Sequence, residues 1–179
     1  MIRELLDWIK TIAIALVLVL LIKTFLLGNY QVEGQSMEPN FYDGERIIVN
    51  KIIYDFREPK RGEVIVLHSP DGRDFIKRII ALPGETIEVK GDDVLINGEK
   101  LEEPYLEEAV RREIEQGRQY NYSNDPLKTV PEDQYFVMGD NRPYSKDSRE
   151  IGFIPADDIV GRADLIYWPF PDFQLLRYD

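Results

Sequence analysis

Two hydrophobic patterns divide the chain. From Trp8 to Gly28 the run WIKTIAIALVLVLLIKTFLLG is apolar apart from Lys10, Thr11, Lys23 and Thr24. Beyond residue 30 the pattern changes to short runs rich in β-branched residues and bounded by turn formers. RIIVNKII (46–53), GEVIVLHS (62–69), DFIKRIIAL (74–82), TIEVKGDDVLINGEKL (86–101), QYFVMGD (134–140) and GRADLIYW (161–168) predict strands or hairpins. KGDD and INGE supply Gly-containing hairpin turns. One stretch has helical character, EPYLEEAVRREIEQG (103–117), with acids early, basic residues mid-way and Gly at its end. The polar QYNYSNDPLKTVPED that follows predicts a loop. The pattern therefore predicts a mainly β, antiparallel domain over 29–179, with a helical or irregular insertion at 102–131.

The N-terminal run is a candidate membrane anchor, residues 1–28. Its uninterrupted core IAIALVLVLLI is short, but Trp8 to Leu27 as a helix spans about 30 Å, the hydrocarbon thickness of a bilayer. Lys10 and Lys23 lie where their stems reach the headgroups, and Trp8 and Tyr30 suit the interface. A cleavable leader would place small residues three and one positions before its cut, and LLGNYQ has no such pair. A buried amphipathic helix would show a polar face through 12–22, and none is present. The flanking charges, Arg3 and Lys10 against Lys23, with Glu4 and Asp7 diluting the first pair, lean only slightly towards an inside N-terminus.

Composition narrows the function. With 44% hydrophobic and 31% charged residues among 179, the chain suits one folded domain with a core. Zero cysteines exclude disulfides and thiolate metal sites. A net charge of −11 argues against nucleic acid and against a polybasic membrane patch, and the part beyond residue 28 is more acidic still.

Candidate chemistry starts at GQSMEPN (34–40), which sets Ser36 between flexible Gly34 and rigid Pro39. A nucleophilic serine needs a base. His68, the one histidine, ends an apolar strand at the SPDG turn, an ordinary place for a surface histidine. Lys77 in DFIKRII shares a strand face with Phe75 and Ile79, and desolvation there would lower its pKa towards that of a general base. Alternation alone favours the plainer reading, a lysine snorkelling from a half-buried strand. The third stretch, MGDNRPYSKDSREIGFIP (138–155), packs Asp140, Asn141, Arg142, Ser145, Asp147, Ser148 and Arg149 into a shaped loop after a strand. Its plainer reading is a solvated loop with an Asp147–Arg149 ion pair.

Taken in order, the N-terminal run, GQSMEPN, RGEVIVL, DFIKRIIALPGETIEV and GDNRPYSKDSREIGFIPADDIVGRA resemble the bacterial type I signal peptidases. These are membrane-anchored Ser/Lys proteases, and the compact size is similar to the short Gram-positive type. The resemblance implies Ser36 as nucleophile, Lys77 as general base and Ser145 as the hydroxyl that orients the lysine amine. It implies Asp147 and Arg149 as a structural pair, and Gly34, Gln35, Gly139, Asp140 and Asn141 as residues shaping the site and its oxyanion hole. Pro83 and Gly84 match the turn after the lysine strand, and Val32 and Ile76 the shallow substrate pockets. Some larger members carry a serine two residues before the nucleophile, where this chain has Gly34, so the hole would rest on backbone N–H groups, that of Ser36 first. The implied substrates are preproteins with small residues, typically Ala-x-Ala, before the cut, cleaved on the outer face of the cytoplasmic membrane. No metal or cofactor is required, and the bilayer and transient contact with the secretion machinery are the further partners suggested. YWPFPDF (167–173) fits an aromatic edge dipping into the membrane and fits core packing equally well.

Two alternatives are weighed against this reading. Self-cleaving Ser/Lys repressor-type proteases share the β scaffold but carry a DNA-binding segment and no apolar span. An inactive, membrane-anchored preprotein-binding protein would be expected to lack Ser36 or Lys77, and both are present.

Overall fold

The computed structural model describes residues 2–21 and 26–178. Helix α1 (Ile2–Leu21) is followed by β1 (Leu27–Gln31), β2 (Arg46–Asn50), α2 (Ile53–Phe56), β3 (Val64–His68) and β4 (Asp74–Ala81). Next come β5 (Thr86–Lys90), β6 (Asp93–Ile96), β7 (Glu99–Lys100), α3 (Glu107–Glu115), β8 (Asp125–Thr129) and β9 (Gln134–Met138). The chain ends with α4 (Ser148–Ile151), β10 (Ile154–Pro155), β11 (Ile159–Trp168) and β12 (Gln174–Leu175). The mainly β, antiparallel expectation holds.

Among the described residues the strands form two sheets. The larger runs β1-β2-β11-β3-β4-β9-β10, with β12 paired to β11, and the smaller runs β7-β6-β5-β8. Every pairing is antiparallel. The hairpins at Gly91 and Gly98 turn with positive φ (57° and 83°), a region glycine enters without steric cost. Three apolar clusters form the core, around Met37, Phe41 and Val49, around Ile80, Ile87 and Phe136, and around Ile65, Ile79 and Tyr135.

Strand β4 contributes to all three clusters, through Ile76, Ile80 with Ala81, and Ile79. It is therefore buried on both faces from Ile76 onward, and Lys77 is not the half-exposed lysine of the plainer reading. The loop expected at 119–133 contains a strand, β8, whose Thr129 and Lys128 pair with Thr86 and Ile87. The expected strand 46–53 ends at Asn50 and turns into the one-turn helix α2.

The N-terminal expectation is corrected in position. The helix begins at Ile2, and Leu27 and Gly28, placed in the anchor by sequence, belong to β1 and pair with Asn50 and Val49. Residues 22–25 of the expected span lie outside the described residues. Among the described residues no helix is long and apolar enough to cross a membrane, since every 18-residue stretch of α1 contains Glu4, Asp7 and Lys10.

Candidate active site

The GQSMEPN segment is fixed by its neighbours before any substrate arrives. Val32 N–H donates to Glu45 O (2.8 Å), Gly44 N–H to Val32 O (2.9 Å), and Gly34 N–H to the Asp43 carboxylate (2.7 Å). Gly34 sits at φ +83°, which favours glycine, with nothing within 4 Å of where a Cβ would stand. Met37 and Phe41 are fully buried in the core, and burying Met37 alone contributes about 2 kcal/mol. Anchoring the residue after Ser36 in this way limits the freedom of the serine.

The Ser36 hydroxyl meets Lys77, whose Nζ lies 2.7 Å from Ser36 Oγ and 2.8 Å from Ile76 O. The Phe75 ring also faces the amine, at 5.2 Å from its centroid. Lys77 is only 2% exposed. Burial pushes its ammonium down to about 8, against the opposing pull of the Asp147 and Asp140 carboxylates and with slight help from Arg149. His68 is exposed at the end of β3, with its Nδ1 2.7 Å from the Asp74 carboxylate.

The 139–149 loop closes the site from the β9 side. Asn141 Nδ2 donates to Gln35 O (3.0 Å) and Asn141 N–H to Ser36 O (3.1 Å), so one residue holds both carbonyls that flank the nucleophile's nitrogen. Gly139 packs so closely that a Cβ there would lie 2.2 Å from Ser145 Oγ and 2.3 Å from Ser36 O. Asp140 binds Arg78 through two bonds (2.8 and 2.6 Å) and accepts from Asn40 Nδ2 (2.8 Å). Asp147 caps α4, accepts from Gly139 N–H (2.9 Å), and pairs with Arg149 (2.7 Å). The solvated ion pair of the plainer reading is instead a buried one, with side chains 7% and 0% exposed.

Ser145 differs from the expectation. Its Oγ is buried with no hydrogen-bond partner among the described residues, and the bonds of the Lys77 amine go to Ser36 and Ile76. Val32 and Ile76 are buried and line one cleft together with Gln35, Ser36 and Lys77, a volume of about 640 Å³. Pro83 and Gly84 form the turn after β4, Gly84 at φ +77°.

Sequence reasoning missed several residues of this assembly. Arg78 stood on the other face of the lysine strand, and a charge inside an otherwise apolar run was the signal that it needed a buried partner. Asn40, in the quoted GQSMEPN, carried no such sign. Glu103, Tyr105, Tyr120 and Asn121 all come from the 102–131 insertion, where no periodicity marks them.

Comparison with known proteins identifies the family. The family model described as signal peptidase, peptidase S26, matches residues 5–168. Signal peptidase IB of Staphylococcus aureus (strain Mu50) is 38% identical over 179 residues, covering 96% of this chain and 94% of that protein. Signal peptidase I of Bacillus amyloliquefaciens is 43% identical over 172 residues, covering 94% and 91%. The crystal structure of a signal peptidase I from Enterococcus faecalis V583 superposes with a TM-score of 0.54 at 39% identity, covering 59% of this chain and 97% of that one. With a match that takes in both Ser36 and Lys77, this chain belongs to the signal peptidase family, peptidase S26, a family of serine endopeptidases.

Proposed function

We propose that this chain removes N-terminal signal peptides from exported preproteins by a Ser36/Lys77 dyad, cutting after small residues. The observation that carries the reading is the buried Lys77 amine 2.7 Å from Ser36 Oγ, with its pKa lowered to about 8. A neutral lysine has a lone pair to accept the serine proton, and a pKa near the working pH keeps a useful fraction neutral.

In the first step Lys77 takes the Ser36 proton as Oγ attacks the scissile carbonyl. The C–N bond then breaks, Lys77 protonates the departing amine of the mature protein, and the signal peptide remains as an ester on Ser36. Water deprotonated by the same lysine hydrolyses that ester and restores the serine. The Ser36 N–H serves as oxyanion donor. Gln35 O accepts from Asn141 Nδ2 and from Glu38 N–H, and in a trans peptide this directs the Ser36 N–H to the opposite side. Such a donor contributes about 3 kcal/mol to lowering the barrier. Ser145 orients the amine once the substrate has closed the cleft. Leaving its buried hydroxyl unpaired costs about 1–3 kcal/mol, which favours its taking up a bond with Lys77.

The substrate lies extended between two strands. Strand β1 pairs with β2 on one side and ends the larger sheet. On β4, Asp74–Lys77 pair with β3, while β9 pairs only from Arg78 onward. Both edges line the cleft, so an inserted peptide can take main-chain bonds from each. Val32 and Ile76 sit on its floor and limit pocket depth, which restricts the adjoining substrate positions to small side chains. The N-terminal segment tethers the enzyme in the bilayer that holds the signal peptide, on the outer face of the cytoplasmic membrane, and so raises the effective concentration of the cleavage site.

The test is cleavage of a preprotein with an Ala-x-Ala junction, in detergent, by wild type and by Lys77→Ala. Wild type is expected to cut at that junction with a rate rising through pH 8, and the variant to lose at least about a thousandfold. Equal cleavage by both would overturn the dyad, and no cleavage by either would favour an inactive preprotein-binding protein.

A further inference from the structure

The insertion at 102–131 supplies no residue to the dyad and none to the lining of the cleft. Its side chains nevertheless end on the loop that carries Gly139, Asn141 and Ser145. Arg142 is buried in that loop and donates through Nε to Gly139 O (3.1 Å). Its two terminal nitrogens form a fork with the Glu103 carboxylate, one bond being 3.0 Å. Tyr120 OH donates to Asp140 O (2.8 Å). Arg149 donates to Asn121 Oδ1 (2.9 Å) and to Ser123 Oγ (2.7 Å), and with its other nitrogen to Arg142 O (2.9 Å).

These contacts form a continuous chain to the reacting atoms. Glu103 fixes the Arg142 guanidinium, Arg142 holds Gly139 O, and Gly139 has no free space against Ser145 Oγ and Ser36 O. A shift of the loop by a few tenths of an ångström is therefore felt at the nucleophile. From this we infer that the insertion is a brace for the active site, with Glu103 and Tyr120 as positioning residues that set the spacing of Ser36, Lys77 and Ser145 through the 139–149 loop. The inference rests on the Ser36/Lys77 reading.

A carboxylate–guanidinium fork in a buried position is a directional device. Each partner satisfies the other's charge, and two parallel bonds fix the plane of the guanidinium as well as its distance. Removing one partner strands the other charge, which destabilises the fold as well as the site. The Tyr120 hydroxyl offers a gentler probe, because phenylalanine keeps the ring and deletes one bond to the backbone of Asp140.

The experiment uses the full chain in detergent micelles and reads kcat, KM and the pH profile of kcat for wild type, Glu103→Gln and Tyr120→Phe, with near-ultraviolet circular dichroism on each. The charged groups facing the Lys77 amine are Asp147, Asp140 and Arg149, and none of them is altered. The brace predicts kcat lower by about 100-fold in Glu103→Gln and about tenfold in Tyr120→Phe, with KM within about twofold. It also predicts an acid limb moved up from about 8, because a loosened loop admits water to Lys77 and removes part of the desolvation. Unchanged kcat and an unmoved limb in Tyr120→Phe would overturn the brace, whatever Glu103→Gln does to folding. So would losses that merely follow the folded fraction. A wild-type profile with no acid limb would instead sink the dyad reading itself.

Discussion

A lysine buried this deeply has an energetic cost that depends on pH, and the site exposes that cost to measurement. The Lys77 ammonium titrates at about 8 in the fold against 10.5 when solvated. Between those two pH values the unfolded chain binds the extra proton, so the stability of the folded state rises with pH across the window. Below pH 8 both states are protonated and the fold carries the full cost of the buried charge, about 3 kcal/mol. Lys77→Met keeps the length of the side chain without the charge. It is expected to raise the midpoint of denaturation clearly at pH 7 and to lose that advantage progressively as pH rises from 8 to 10.5. A stability difference that stays constant over this range would show that Lys77 is not held charged against desolvation. Strand alternation correctly joined Lys77 to Phe75 and Ile79, but it describes one strand at a time. The burial of both faces of β4 comes from the apolar clusters into which its Ile76, Ile79, Ile80 and Ala81 side chains pack, a tertiary fact with no local signal. Ser145 shows the converse. Its hydroxyl stands close to Gly139, as Ser36 O does, while the bonds of the Lys77 amine go to Ser36 and Ile76.

Strand β11 joins the two halves of the larger sheet, pairing with β2 on one side and β3 on the other. At Gly161 it runs tightly against the end of β2. A Cβ there would lie 2.4 Å from Asn50 O and 2.9 Å from Lys51 Cα, both backbone, so neither can swing aside. Gly161→Ala is expected to destabilise the protein by about 1–3 kcal/mol, lowering the urea midpoint with little change in slope. An unchanged midpoint would mean that β11 shifts freely against β2. The elements that sequence located well are those with a local cause. Hairpins β5–β6 and β6–β7 turn at Gly91 and Gly98, and α3 sits inside the stretch with helical charge order. Of the four strands not predicted, β10 and β12 are only two residues long, and the two longer ones were hidden for opposite reasons. DPLKT, which forms β8, is polar and contains Pro126, and it becomes a strand because β5 offers it an edge. LGNYQ, which forms β1, continues an apolar run and looked like the end of a span.

At the scale of the whole molecule the acidic composition constrains how the enzyme meets a membrane. A chain with net charge −11 is repelled by anionic headgroups, so attachment must come from apolar contact. Beyond the N-terminal segment, the structure presents such a surface at the end of β11. Trp168 is 45% exposed, Phe170 73% and Phe173 60%, with the Trp168 and Phe170 rings edge to face at 5.2 Å. These three rings are not core residues, which removes the packing alternative for them, and an interfacial role is the prediction they motivate. Their position is suited to it. Trp168 aligns with Arg46 of β2 and through it with Gln31 of β1, while Leu27, nearest the N-terminal segment, aligns with Asn50 at the other end of the same ladder. The two ends are separated by about 13 Å of strand, so a bilayer touching both would run along this edge of the sheet, beside the start of the Ser36 loop. Replacing Trp168, Phe170 and Phe173 together by serine is expected to slow cleavage on anionic lipid vesicles by about tenfold while leaving cleavage of the same preprotein in detergent micelles unchanged. Equal losses in both media would assign the rings to folding of the β11–β12 hairpin. Unchanged rates in both would leave the N-terminal segment as the sole attachment.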